Sequence, residues 1–174
     1  EKALEDYNKA YGEDYLIFRY FCAAGATEEN GESRKSVETH LIPLVVESVL
    51  DSNKVVYIYG NDFATDDGFG VRDYVHVLDI VNAHIDGMLK WDEVKNNVYN
   101  IGTDRGYSVK EVVNEANKLF NANIKTEIKG RRLGDPDKLV ASNKKFFNAF
   151  GWKPSIALQD MLTSAYNWRK DMKY

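Results

Sequence analysis

Apolar side chains recur along this chain in runs whose spacing switches between helix and strand. Leu4, Tyr7 and Tyr11 fall three and four residues apart with no Gly or Pro between them, which predicts a helix over 1–11 stopped by Gly12. The next run, Tyr15 to Cys22, is almost wholly apolar or aromatic. That is the pattern of a strand buried on both faces, as inside a parallel sheet. The small residues Ala23-Ala24-Gly25-Ala26 end it, and residues 27–37 read as polar loop. Leu41, Leu44, Val45 and Val49 give helical spacing over 38–51, with Pro43 confined to the first turn. Val55–Tyr59 reads as a short strand. After a glycine-rich acidic loop, a helix is expected from His76 to Lys90 with Ile80, His84 and Met88 on one stripe. Val98 to Gly102 reads as a strand, and Ser108-Val109-Lys110-Glu111 is a capping box opening a helix that runs to Phe120. Ile124–Ile128 alternates as a half-buried strand, and two helices follow near 143–150 and 157–172.

Strands alternating with helices predict α/β architecture. A buried strand at 15–22 needs neighbours on both sides, and this chain offers few, so part of a sheet is expected to be missing. The chain opens in mid-pattern, as a fragment would. With 44% hydrophobic and 29% charged residues it reads as globular rather than disordered. A net charge of -4 and a pI near 5.4 argue against a general nucleic-acid binder. The single cysteine, Cys22, cannot form an internal disulfide, which makes a reducing cytoplasm the expected compartment. No run approaches the roughly 18 apolar residues a membrane span needs.

Few motifs carry chemistry on their own. Gly68-Phe69-Gly70 supplies two glycines of a dinucleotide fingerprint but not the third, and no helix follows directly. Among the histidines, His76 and His84 are eight apart, too far for one metal ion on a straight helix, and Asp62, Asp66 and Asp67 lack the spacing of a calcium loop. No metal site is expected. His76 reads as capping or packing a helix start, and His84 as facing a neighbouring element. Tyr74, Tyr99 and Tyr107 read as packing residues, and Trp152 and Trp168 as core anchors. Two arginine positions stand out. Arg72 leaves one glycine-containing loop and Arg131-Arg132 sits in another, and each is followed by an aspartate, Asp73 or Asp135. Arginine forks bind phosphate oxygens bidentately. Spacing alone still favours ordinary surface arginines over a phosphate site.

Six stretches change that balance. RYFCAAGA (19–26), ETHLIP (38–43), GVRDYVHVLDI (70–80), YNIGTDRGYSVKE (99–111), RRLGDPDKLVAS (131–142) and FGWKP (150–154) occur in order. Together they resemble the C-terminal half of the UDP-glucose 4-epimerase family, extended short-chain dehydrogenases, over essentially the whole chain. The resemblance implies a fold with residues 1–24 as the tail of a truncated NAD-binding Rossmann domain and 25–174 as a UDP-sugar-binding domain. About 75–102 should pack back on the Rossmann domain. It implies NAD as cofactor, UDP-glucose and UDP-galactose as substrates, and a homodimer for the full-length enzyme. Arg72 and Arg132 should bind the diphosphate and Asp135 the ribose. Thr39, His40, Leu41 and Val56 to Ile58 should line the uridine pocket. Tyr20 and Phe21 should lie near the nicotinamide. Cys22 stands where relatives carry a substrate-contacting Asn, His40 where many carry Asn, and Leu139 at the position that gates sugar size. The family's Tyr-x-x-x-Lys pair and glycine-rich NAD loop fall before residue 1, so this chain alone is expected to be inactive and prone to self-association. A related dehydratase or decarboxylase, and a stand-alone nucleotide-sugar binding module, are the competing readings.

Overall fold

The helix expected at the start forms as α1 (Lys2–Tyr11), closed by Gly12 in the left-handed conformation at φ 75°. The computed structural model describes residues 1–32 and 37–171. Part of the expected 27–37 loop and the last residue of the expected final helix lie outside the described residues.

The apolar run at 15–22 becomes two strands, β1 (Leu16–Tyr20) and β2 (Cys22–Ala24), parted at Phe21. The break marks a change of partner. β1 pairs in parallel with β6 (Asn97–Ile101), whereas β2 pairs in parallel with β5 (Tyr74–His76). The Phe21 amide donates to the Ile101 carbonyl (3.3 Å) and the Cys22 amide to the Asp73 carbonyl (2.8 Å). The run is not buried on both faces as expected: β1 is half-buried to exposed, and Tyr20 is 50% exposed. Among the described strands β1 has one partner, so its other edge stays open.

The remaining strands are short. β3 (Val55–Tyr59) pairs in parallel with β8 (Lys125–Lys129). β4 (Val71–Arg72) lies between β7 (Tyr107–Ser108), antiparallel, and β9 (Lys138–Leu139), parallel. β8 was expected to be half-buried, yet every residue in it is exposed. It hangs on β3 by one edge, and only Ile124, just ahead of it, reaches the core.

Two apolar clusters hold the elements together. In the first, α2 (Leu41–Leu50), α5 (Val109–Phe120) and α7 (Leu158–Asp171) meet through Val45, Val46, Val112, Ala116, Leu158 and Leu162. The expected capping box opens α5: Ser108 Oγ accepts from the Glu111 amide, and Glu111 Oε2 accepts from the Ser108 amide. In the second cluster, α3 (Val77–Leu89) and α6 (Lys144–Phe150) close on β5 and β6 around Phe146. The expected anchor Trp152 is buried there, its ring 5.3 Å from that of Phe146. A short helix, α4 (Trp91–Val94), follows α3. The stripe facing inward on α3 is Asp79, Ile80, Ala83 and Gly87, while Met88 is 66% exposed rather than in line with Ile80. Gly87 is needed where α3 meets β1, since a Cβ there would sit 2.8 Å from Leu16 and 2.9 Å from Phe18. Asp79 is buried and accepts hydrogen bonds from the Ser155 amide and hydroxyl and the Ile156 amide, tying the first turn of α3 to the segment before α7. Among the described residues, no helix is long and apolar enough to cross a membrane.

His76 caps α3, as its sequence position suggested. Its Nδ1 accepts from the Leu78 amide (3.1 Å), which places the proton on Nε2, 3.2 Å from Ser164 Oγ. Burial pushes its pKa below the ordinary 6.5. The native state therefore prefers the neutral ring, and the unfolded chain takes the proton first as pH falls. The stability contributed is full above about pH 6.5 and is lost below it. Thermal stability should fall between pH 7.5 and 5, and His76→Asn, which retains a side-chain acceptor, should flatten that slope. An identical slope in wild type and variant would contradict this.

Candidate functional site

Where the β1–β2 break, the start of α2 and the end of β3 converge, they enclose a cavity of about 550 Å³. Nearly all the residues singled out from the sequence line it: Tyr20, Phe21 and Cys22 from the strand break, Thr39, His40 and Leu41 from the start of α2, Ile58 from β3, and Arg72, Arg132 and Asp135 from the two arginine loops. Val56 and Leu139 do not. Val56 shares the inward face of β3 with Ile58 but lies deeper, 1% exposed in the α2–α5–α7 cluster. Leu139 sits opposite Arg72 in the β4–β9 pair and is 49% exposed, outside the cavity lining.

The loop before Arg72 folds on itself through its own polar groups. The Phe63 amide donates to Gly68 O (3.0 Å), Thr65 Oγ1 to Phe69 O (2.8 Å), and the Phe69 amide to Asp67 Oδ1 (3.0 Å). Gly68 has φ +80°, and a Cβ there would lie 2.6 Å from Asn61 O. Asp67 also accepts from Ser108 Oγ at the head of α5. The acidic loop is thus a brace that delivers the chain into β4.

Arg72 is not an ordinary surface group. The Arg72 side chain is only 18% exposed. Its Nη1 donates to Val71 O (2.9 Å) and Pro136 O (3.0 Å), and its Nη2 lies 3.7 Å from Asp135 Oδ1. Arg132 stacks 3.8 Å from the centre of the Tyr59 ring. Its neighbour Arg131 does not line the cavity. It lies over Phe63 (4.0 Å) and donates to Asp137 Oδ1 (2.8 Å) and Asp135 O (3.1 Å), so it braces the loop. One partly enclosed guanidinium and one stacked guanidinium thus face a single cavity beside a carboxylate. That arrangement suits a ligand with adjacent phosphates and hydroxyls.

Burial favours the neutral forms of two groups in the lining, Cys22 and Tyr74. Burial pushes the Cys22 thiol above its ordinary 9.0, partly countered by the charge of Arg72. Burial pushes the Tyr74 hydroxyl well above the tyrosine range, so it stays protonated. Tyr20 OH lies 2.6 Å from His84 Nε2, and His84 Nδ1 lies 2.8 Å from Ile80 O. The carbonyl can only accept, so Nδ1 carries the proton and Nε2 accepts from Tyr20. Alkylation of Cys22 by iodoacetamide should accordingly be slower at pH 7.5 than that of free cysteine, by peptide mass spectrometry. A rate equal to that of free cysteine would contradict the assignment.

Sequence reasoning missed the aromatic wall. Tyr59, Phe63 and Tyr74 also line the cavity, beside Tyr57 from the expected Val56 to Ile58 stretch. The alternation of β3 was visible, but its pairing with β8, which brings Arg132 over Tyr59, joins segments about 70 residues apart and has no local signal. Also unforeseen is the meeting of Glu32, Glu38 and His40, whose ligand atoms lie within 4.8 Å of one another. Each has further partners. The one Tyr-x-x-x-Lys spacing in the chain, Tyr166 to Lys170, lies in α7, where Tyr166 stacks on Phe120 (4.6 Å), and neither residue lines the cavity.

A family profile described as GDP-mannose 4,6 dehydratase matches residues 1–165. The chain belongs to that family. Within it, the chain is 40% identical to a UDP-glucose 4-epimerase of Halalkalibacterium halodurans, over 98% of its own length and 52% of the relative's. The crystal structure of UDP-glucose 4-epimerase from Bifidobacterium longum in complex with NAD+ and UDP superimposes with TM-score 0.89 at 35% identity, over 97% of this chain and 51% of that one. The UDP-Glc/GlcNAc 4-epimerase from Campylobacter jejuni superimposes with TM-score 0.79 at 33% identity, over 98% and 53%. The chain spans about half the length of these relatives.

Proposed function

We propose that the cavity is the UDP-sugar site of an NAD-dependent UDP-glucose 4-epimerase, to which this chain contributes the substrate half. The observation that carries the reading is the convergence of Arg72, Arg132 and Asp135 on one cavity with the Phe21–Cys22 strand break. In this reading Arg72 and Arg132 hold the diphosphate, Asp135 accepts from the ribose hydroxyls, and the base lies between Leu41 and the β3 edge at Ile58 and Tyr59. Cys22, a weak hydrogen-bonding group held as the neutral thiol, meets the sugar. NAD, when bound, supplies reversible removal of hydride from C4 of the sugar. This chain's own contribution is to hold the nucleotide so that the sugar reaches that chemistry. Tyr20, oriented by His84, and Phe21 form the edge nearest the nicotinamide. The catalytic Tyr–Lys pair and the dinucleotide loop are assigned to the portion of the relatives that this chain does not span. Residues 1–24 then belong with the Rossmann domain, and α3 with β6 packs against it.

Exposed apolar residues support that last assignment. Leu4, Tyr7 and Tyr11 on α1, and Val81, Ile85, Met88 and Leu89 on α3, are all at least 43% exposed. Without a covering element such faces promote association between chains. The 174-residue chain alone should be oligomeric by light scattering and inactive; a monodisperse monomer at high concentration would contradict the assignment of these faces.

The full-length protein tests the reaction. Incubated with UDP-galactose, it should form UDP-glucose without net consumption of nicotinamide cofactor. The competing reading, a dehydratase as the family profile is described, is met by the same assay. A dehydrated keto sugar, and no epimer, would overturn the epimerase reading.

A further inference from the structure

Asp73 is the most deeply buried acid among the described residues, at 0% exposure, and the donors that meet its carboxylate are hydrogen-bonding groups rather than a cationic side chain. The Thr103 amide donates to both oxygens (2.9 and 3.0 Å), Thr103 Oγ1 to Oδ1 (2.5 Å), and the Ala141 amide to Oδ2 (3.1 Å). The turn reaches this close because residue 102 is glycine: a Cβ there would sit 2.7 Å from Asp73 Oδ2 and 2.5 Å from the Ala141 Cβ. The backbone of Asp73 makes two more ties. Its amide donates to Leu139 O (3.1 Å), and its carbonyl accepts from the Cys22 amide (2.8 Å). Next to it, the Val71 amide donates to Asp137 O (2.9 Å) and Arg72 Nη1 to Pro136 O (3.0 Å). Segment 71–73 is therefore laced to segment 136–141, and the Asp73 carboxylate is the last fastening of that lacing.

We infer that Asp73 is a positioning residue for the diphosphate subsite: by fastening 136–141 to 71–73, it holds the Arg72 guanidinium toward the cavity. This rests on the reading of the cavity as a nucleotide-diphosphate site. A buried carboxylate that only accepts can satisfy three converging donors, whereas an amide must turn its own NH2 group on one of them. The lacing then loosens at its end, and the groups that move are those facing the phosphates. The base contacts on α2 and β3 do not depend on it.

The test is calorimetric titration of the full-length protein with UDP and, separately, with uridine. Asp73→Asn should weaken UDP by about tenfold or more. Uridine should stay within about twofold. Thr103→Val, which removes the hydroxyl donor to Asp73 Oδ1 together with its contacts to the Arg105 backbone, should lower the UDP-to-uridine affinity ratio less, and Thr103→Ser should restore it. If Asp73→Asn does not fold, the Thr103 pair decides. Equal losses for UDP and uridine, or a ratio unchanged in Thr103→Val, would overturn the inference by showing a purely structural acid. Failure of the unaltered protein to bind UDP would overturn the nucleotide reading itself, and this inference with it.

Discussion

Arg72→Ala in the full-length protein is expected to weaken UDP binding by about 10- to 100-fold. A hydrogen bond to a charged group is worth about 1.5–3 kcal/mol, and 1.4 kcal/mol is a factor of ten. The upper part of that range is favoured by the site. The guanidinium is only 18% exposed, so solvent screens it little, and it is already held by Val71 O, Pro136 O and the nearby Asp135. A ligand therefore does not have to order it. Arg132 is the contrasting case. It lies on an exposed loop and is engaged with the Tyr59 ring, so Arg132→Ala should cost less. Arg72→Lys should recover only part of the loss, because one ammonium cannot serve the loop carbonyls and a phosphate with a planar fork. Titration of the three variants with UDP checks the order, and an unchanged affinity in Arg72→Ala would remove the diphosphate assignment.

Phe146→Ala should be the most damaging single truncation for stability. Phe146 is fully buried, and its ring lies 5.4 Å from Tyr99, 4.2 Å from Phe150, 5.3 Å from Trp152 and 5.7 Å from Phe18. Removing a ring from such a setting costs about 3–5 kcal/mol, because the lost burial is joined by a cavity its neighbours cannot fill. Whole domains are stable by only about 5–15 kcal/mol. The variant should show a large drop in the urea midpoint at unchanged slope. A loss below about 1 kcal/mol would mean that the second cluster closes over the gap, against the picture of a packed aromatic core.

How much of this was legible in the sequence depends on range. Local signals held well. The capping box at Ser108 and Glu111, the left-handed stop at Gly12 and the cap at His76 all stand where the spacing put them. The two-residue strands β7 and β9 were invisible, since neither is long enough to show alternation, and each exists only because its partner from elsewhere in the chain aligns it. Burial of β1 was misjudged for a different reason. Apolar content reports what a strand is suited to, not what covers it within these residues. At the site, the resemblance named about half of the lining residues, while Val56 shows its limit: a one-step difference in depth along β3 separates core from cavity. The bracing of Arg72 by Pro136 and Asp135, and the tie from the Ala141 amide to the Asp73 carboxylate, could not be read at all, because they depend on contacts across more than 60 positions.

The central claim is that one cavity receives the diphosphate on Arg72 and Arg132. A structure of the full-length protein bound to UDP tests it most directly. The account predicts phosphate oxygens within about 3 Å of both guanidinium groups, the ribose at Asp135, and the base beside Leu41 and Tyr59. UDP bound elsewhere, or in this cavity with its phosphates turned away from Arg72, would contradict it.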